Sequence, residues 1–177
     1  MRLNPAGVDL PTGTVTFLFT DVEGSTALLR RLKDGYAEVL AQHERLLCEA
    51  AAAAGGQEFG TQGDAVFFVF RNPRDAVLAA VDGQRALETA EWPEGVELRV
   101  RMGIHTGEAI READDLFGKT VIVASRITDT GRGGDILVSA LTYELTSSSG
   151  EFRFGDPRVV ELKGITTPQI VRLILWE

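Results

Sequence analysis

The stretch TFLFTDVEGSTALL, residues 16–29, decides how the chain is read. With Thr14 and Val15 before it, its first half is rich in β-branched and aromatic residues and predicts a buried strand. The strand ends on a carboxylate, Asp21. A small turn follows, Val22-Glu23-Gly24-Ser25, and Ser25 or Thr26 is placed to cap a helix. Capping therefore does not need Asp21. Two readings of it stand: a solvated strand end, or a cation ligand beside the free N–H groups of a helix N-terminus, which attract anions.

Working outward, 177 residues favour one domain, with residues 1–12 as a flexible lead-in and 13–177 as the folded unit. The charge balance is 18 basic against 26 acidic residues, net −8. That leaves no basic footprint for nucleic acid and no attraction to an anionic membrane surface. A protein of this charge that handles phosphates needs metal ions or a few well-placed arginines. Cys48 is the only cysteine, so no internal disulfide forms, which suits a reducing cytoplasm. No long apolar run predicts a membrane span.

Helical spacing of Leu29, Leu32, Tyr36, Val39, Leu40, Leu46 and Leu47 predicts one helix ending near Gly55-Gly56. QEFGTQGDAVFFVF (57–70) predicts two strands meeting around Gly60–Asp64, and Asn72-Pro73 opens a second helix. VELRVRMGIHTG (96–107) predicts a strand, followed by a polar connection. KTVIVASRITDT predicts a third helix, DILVS a strand, LTYELTSS a short helix, and the C-terminal segments a closing hairpin. The order β-α-β-β-α-β-α-β-α-β-β predicts an α+β sandwich, with helices on one face of a mostly antiparallel sheet around a ferredoxin-like split-βαβ core.

In that core the first strand lies beside the strand following Asp64. Asp21 and Asp64 then converge from neighbouring strands, and two carboxylates with divalent cations are a standard way to hold a triphosphate. His105 reads as a hydrogen-bonded core histidine, and His43 as a residue of a polar helix face beside Glu44 and Glu49.

FTDVEGST, then GDAVFFVF, GIHTGEA and GKTVIVASRI, together resemble the class III adenylate/guanylate cyclase catalytic domain, in its compact bacterial branch. The resemblance runs from about Thr14 to the C-terminus. It implies an adenylate cyclase-type lyase that converts ATP to 3′,5′-cyclic AMP and pyrophosphate with two Mg²⁺ or Mn²⁺ ions per site. It assigns Asp21, Asp64 and the Val22 backbone to the metals, and Glu23, Gly24, Ser25 and Thr26 to the triphosphate. Arg126 takes the transition-state charge, Asp115 reads the base, and Lys163 contacts phosphate. It further implies a homodimer whose active sites are shared across the interface, with Asp115 and Arg126 coming from the partner subunit.

Two positions depart from the family pattern. Gly60 stands where a base-recognising lysine is usual, and Gln62 shares its strand face as a neutral substitute. Ile122 stands where an asparagine is usual, one turn before Arg126, and has no hydrogen bond to donate. These departures leave two alternatives open: a weakly active or inactive relative that binds nucleotide or a partner as a sensor or scaffold, and a cyclase acting on GTP or a pyrimidine triphosphate.

Overall fold

The computed structural model describes the backbone of residues 2–3, 9–112 and 115–177, and the side chains of residues 9–110 and 118–177. The strands are β1 (Arg2–Leu3), β2 (Gly13–Val22), β3 (Gln57–Gln62), β4 (Ala65–Phe70), β5 (Val100–Glu112), β6 (Asp115–Phe117), β7 (Ile136–Ser139), β8 (Arg158–Val160) and β9 (Gln169–Leu173). The α-helices are α1 (Ser25–Leu32), α2 (Tyr36–Ala53), α3 (Pro73–Thr89), α4 (Lys119–Asp129) and α5 (Ala140–Thr146). Eight strands lie in the order β1-β3-β4-β2-β5-β7-β9-β8, and β6 folds back on β5. Only β5 and β7 run parallel, joined by the α4 crossover. The architecture is the expected α+β sandwich on a mostly antiparallel sheet.

Strand alternation on β2 sorts the core into two layers. Leu18 and Val22 face a cluster with Val66, Phe68, Met102 and Ile104, closed over by α2, α3 and α5. Val15, Phe17 and Phe19 face the opposite way, into an aromatic cluster with Phe59, Phe67 and Val69. Helices were expected on one face of the sheet, but α4 lies on this second face. Its Ala124 joins the aromatic cluster, and Val123 and Ile127 pack on Leu137 and Val171. Glycines on β5 make room for it. A Cβ at Gly103 would stand 2.3 Å from Thr128 Oγ1 and 2.6 Å from the Thr128 nitrogen, and one at Gly107 would stand 2.7 Å from Thr120 Oγ1. Thr128 Oγ1 donates to the Ala124 carbonyl at 3.0 Å and Thr120 Oγ1 to the Glu108 carbonyl at 2.5 Å.

Three local expectations change. The predicted first helix is two helices separated by a 3₁₀ turn at Lys33–Gly35, where Lys33 takes φ 49°. Asp34 and Gly35 are poor helix formers, so the break falls there. The polar connection after residue 107 instead continues β5 to Glu112, because Gly13 and Thr14 of β2 pair with Ala109 and Glu108, and β6 pairs with residues 110–112. Within the lead-in, Arg2 and Leu3 pair with Thr61 and Gly60 of β3, and Leu10 is buried in the aromatic cluster.

His43 does not lie on a polar face. It is fully buried in the row Val39, His43, Leu47, Ala51 of α2. The i, i+4, i+8 spacing of Val39, His43 and Leu47 carries that signal, and the neighbouring glutamates obscure it. Neither ring nitrogen has a hydrogen-bond partner. Burial lowers its pKa to about 4, against smaller upward pulls from the Asp64 carboxylate and the nearby Leu40 carbonyl. Burial lowers His105 to about 4 as well, and its Nδ1 is likewise unpartnered rather than hydrogen-bonded.

A folded pKa below the unfolded value means that the unfolded chain binds protons the folded one refuses. Stability from both histidines is therefore complete above pH 6.5 and is lost as pH falls towards about 4. Replacing His43 by leucine removes two unpaired buried polar atoms. Urea melts should show His43→Leu more stable at pH 7 by about 1 kcal/mol, with a smaller loss on acidification than the parent chain.

Candidate active site

The site grows from the C-terminal end of β2. Asp21 is on the α4 face of the sheet and pairs across the ladder with Arg101 of β5. Arg101 places both Nε, at 2.7 Å, and Nη2, at 2.5 Å, on Asp21 Oδ2. Asp64 sits in the β3–β4 turn that follows Gly63, whose φ of 64° favours glycine. Its Oδ2 accepts the Val22 N–H at 2.8 Å. Each carboxylate thus has one oxygen held by the protein, and the two groups lie close enough to interact directly. Burial is the largest effect on Asp21 and raises its pKa; Arg101 opposes this, and the negative charge of Asp64 adds to it.

Two half-buried carboxylates this close, with Asp21 made costlier to ionise by burial and by the neighbouring Asp64 charge, form a site that a cation would stabilise. Among the described residues no group of three or more acidic, histidine or cysteine side chains is placed to hold a metal ion. The donor set is therefore small: two carboxylates and the Val22 backbone. This fits Mg²⁺ or Mn²⁺, which complete their shells with water and substrate phosphate oxygens rather than with a full protein cage.

The β2–α1 turn lies beside the pair. Gly24 occupies the N-cap of α1 with φ 68°, and no side chain caps the helix, so Ser25 and Thr26 do not have the capping role expected of them. The Gly24 carbonyl instead accepts from the Ala27 and Leu28 nitrogens at 3.0 and 3.1 Å. The first turn has no acidic residue, and its leading N–H groups remain available to an anion. The Glu23 side chain turns away from them, and its Oε1 accepts the Gly133 N–H at 3.1 Å.

On the α4 side, a cavity of about 270 Å³ is lined by Phe19, Thr20, Asp21, Gln62, Ala65, Phe67, Ser125, Arg126, Thr128 and Asp129. Asp21, Gln62 and Arg126, which stand far apart in sequence, therefore border one space within a single chain. Arg126 Nη1 donates to Asp129 Oδ2 at 3.2 Å, while its buried Nε has no partner. Ile122 is about half exposed one turn earlier on the same helix. A larger surface cavity, about 400 Å³ and lined by Trp92 and Trp176, contains none of the residues singled out in the sequence.

The remaining candidates divide. Gly60 is buried opposite Phe67, beside a bulge in β3 that turns Phe59 into the aromatic cluster. Gln62 pairs with Ala65 and faces the same side as Gly60, as its spacing predicted. Asp115 begins β6, and its side chain lies outside the described residues. Lys163 is exposed in a separate cleft with Glu161, Leu162 and Ile165, and does not line the Asp21 cavity. The sequence reading missed Arg101 and Asp129. Arg101 was discoverable only through the β2–β5 register. Asp129 carries a local signal, its i, i+3 spacing from Arg126.

The chain is similar to known proteins over most of its length. The model of the adenylate and guanylate cyclase catalytic domain matches residues 9–174. An adenylate cyclase of Lachancea kluyveri is 30% identical over 164 residues, covering 78% of this chain and 9% of the relative. An uncharacterised protein of Mycobacterium tuberculosis is 35% identical over 140 residues, 77% of this chain and 46% of the relative. The chain therefore spans less than half the length of these curated relatives. A solved adenylate/guanylate cyclase/hydrolase structure from Silicibacter pomeroyi superposes with a TM-score of 0.79 at 28% identity, covering 91% of this chain and 95% of that one.

Cation binding is measurable without turnover. Mn²⁺ titrations followed by electron paramagnetic resonance should show Asp21→Asn and Asp64→Asn each weakening binding by about tenfold or more. Lys163→Ala should leave the isotherm unchanged.

Proposed function

Because the chain belongs to the adenylate and guanylate cyclase catalytic domain family, we propose that it converts ATP to 3′,5′-cyclic AMP and pyrophosphate. The observation that carries the reading is the Asp21–Asp64 pair, with one oxygen of each held by Arg101 or the Val22 N–H, beside an uncapped helix start. In the reaction, the 3′-hydroxyl oxygen forms a bond to the α-phosphorus as the bond to the β-phosphate oxygen breaks. The 3′-proton leaves to solvent, and pyrophosphate carries away the bonding electrons. Asp21, Asp64 and the Val22 backbone would hold two Mg²⁺ or Mn²⁺ ions, which would lower the 3′-hydroxyl pKa and neutralise phosphate charge.

The rest is positioning and charge stabilisation by the chain's own groups. The free N–H groups at the start of α1 receive the β- and γ-phosphates. Arg126, through its unpartnered donors, meets the charge that develops on the transferring phosphoryl group. The family arrangement places that arginine across a homodimer interface, with Asp115 reading adenine. Gln62, on the strand face of Gly60, takes the position of a neutral base contact. Among the described residues no helix is long and apolar enough to cross a membrane; the single cysteine, suited to a reducing compartment, supports the cytoplasm as its location.

A second reading is favoured by one feature, the half-exposed Ile122 one turn before Arg126. A missing transition-state donor costs about a hundred- to a thousandfold in rate, which would leave a nucleotide-binding sensor or scaffold. Loss of the base-reading lysine at Gly60 likewise relaxes discrimination between ATP and other triphosphates.

Incubation with each nucleoside triphosphate and Mn²⁺ or Mg²⁺, followed by mass spectrometry, tests the reading. Cyclic AMP should be the main product; its absence at high protein concentration, with every nucleotide, overturns the enzyme reading in favour of the sensor. Asp21→Ala should abolish turnover. Ile122→Asn should raise kcat by about tenfold or more, in line with the worth of one such donor.

A further inference from the structure

Glu23 poses a problem for a triphosphate site. A carboxylate in the turn that receives phosphates repels them unless it is turned elsewhere. Here it is turned elsewhere, onto the loop between α4 and β7. Glu23 Oε1 accepts the Gly133 N–H at 3.1 Å, and the Glu23 nitrogen donates to the Arg99 carbonyl at 2.9 Å, extending the β2–β5 ladder by one residue. The approach is tight: a Cβ at Gly133 would stand 2.4 Å from Arg99 Cβ and 2.7 Å from Glu23 Oε2. The Arg99 guanidinium gives its hydrogen bonds to Glu97, through Nε at 2.9 Å and through Nη2, and acts on the Glu23 carboxylate only through its charge.

The loop that Glu23 holds is stiff. The Gly134 nitrogen donates to the Val100 carbonyl, the Asp135 nitrogen to the Arg132 carbonyl, and the Met102 nitrogen to the Asp135 carbonyl, each at 2.9 Å. The Asp135 side chain accepts the Arg132 N–H at 2.9 Å, and Trp176 Nε1 donates to the Gly134 carbonyl at 2.8 Å. At its other end the loop closes the last turn of α4, where the Thr130 and Gly131 nitrogens donate to the Ile127 and Thr128 carbonyls at 3.0 and 3.1 Å. Arg126 lies in that turn.

We propose that Glu23 is a positioning residue: its carboxylate is a strut that fixes the phosphate-receiving turn against the end of the helix that carries Arg126. The proposal rests on the cyclase reading for its catalytic consequence and on the Gly133 contact for its structural one. If the sites of a dimer are shared, the strut also joins the two half-sites that one chain contributes to different active sites.

The test compares Glu23→Ala with Glu23→Gln, whose amide oxygen still accepts the Gly133 N–H. In Glu23→Ala, NMR-detected exchange of the Gly133 amide should quicken, and amide shifts should change along α4 as far as Arg126. kcat should fall by about tenfold, while KM stays within about twofold because the phosphate-binding N–H groups remain. Glu23→Gln should restore most of the exchange protection and most of kcat. Two outcomes overturn the strut. Equal damage from both substitutions, with weaker Mn²⁺ or nucleotide binding, would make Glu23 a direct ligand. Unchanged Gly133 exchange, or shift changes that stop at Gly133, would show no coupling to α4. The exchange and shift measurements stand without turnover, so a chain that forms no cyclic product overturns the cyclase reading and leaves the strut to be judged on them.

Discussion

The contact of α4 with the bare backbone of β5 sets the geometry of everything on the site face. Gly103 and Gly107 lie four residues apart on one face of the strand, and no side chain fits between either of them and the helix. The helix therefore lies directly on the strand, and Thr128 and Thr120 bond backbone carbonyls beneath and beside them. Close packing of this kind has few alternative arrangements, because an interior at crystal-like density does not deform smoothly. It places Arg126 and Asp129 against the end of β2, where they share a cavity with Asp21.

The opposite face is conventional by comparison. Three helices cover a continuous apolar layer, and a chain of buried hydroxyls pins strands to helix. Thr16, Thr106, Thr142 and Ser139 are linked in series at 2.9 to 3.0 Å. Every hydroxyl in that chain is partnered, which a dry interior requires. Among the described residues, the buried side-chain atoms without a partner are both ring nitrogens of His43, Nδ1 of His105 and Nε of Arg126. His43 lies in the covered apolar layer, while Arg126 borders the open cavity of the site face. An unpaired donor in the first place only weakens the fold; in the second it stands beside the space proposed for the nucleotide.

Electrostatics follow the same division. With a net charge of −8, the protein as a whole repels phosphates. The proposed site counters this locally, with the uncapped start of α1, Arg126 and the cation that Asp21 and Asp64 are proposed to hold. Arg101 keeps Asp21 oriented by taking one of its oxygens. Turning Glu23 onto Gly133 removes a negative charge from the path of the phosphates.

Much of this was legible from the chain alone. Strand alternation, helix periodicity and the turn at Val22-Glu23-Gly24-Ser25 were enough to order the main elements, and Asp21 and Asp64 stood out because one carboxylate ends an apolar strand and the other precedes one. These are local signals, carried by neighbours within a few residues. What escaped the sequence was non-local. Arg101 meets Asp21 only through the β2–β5 register, and Glu23 meets Gly133 across 110 positions of chain. His43 looked polar because its sequence neighbours are charged, yet its helix turns it inward. The sequence by itself determined the fold class, the order of the main elements and the candidate residue types of the site. The tertiary structure decided which face α4 covers and which partner each charged side chain takes, because those depend on packing and register between segments that no local pattern records.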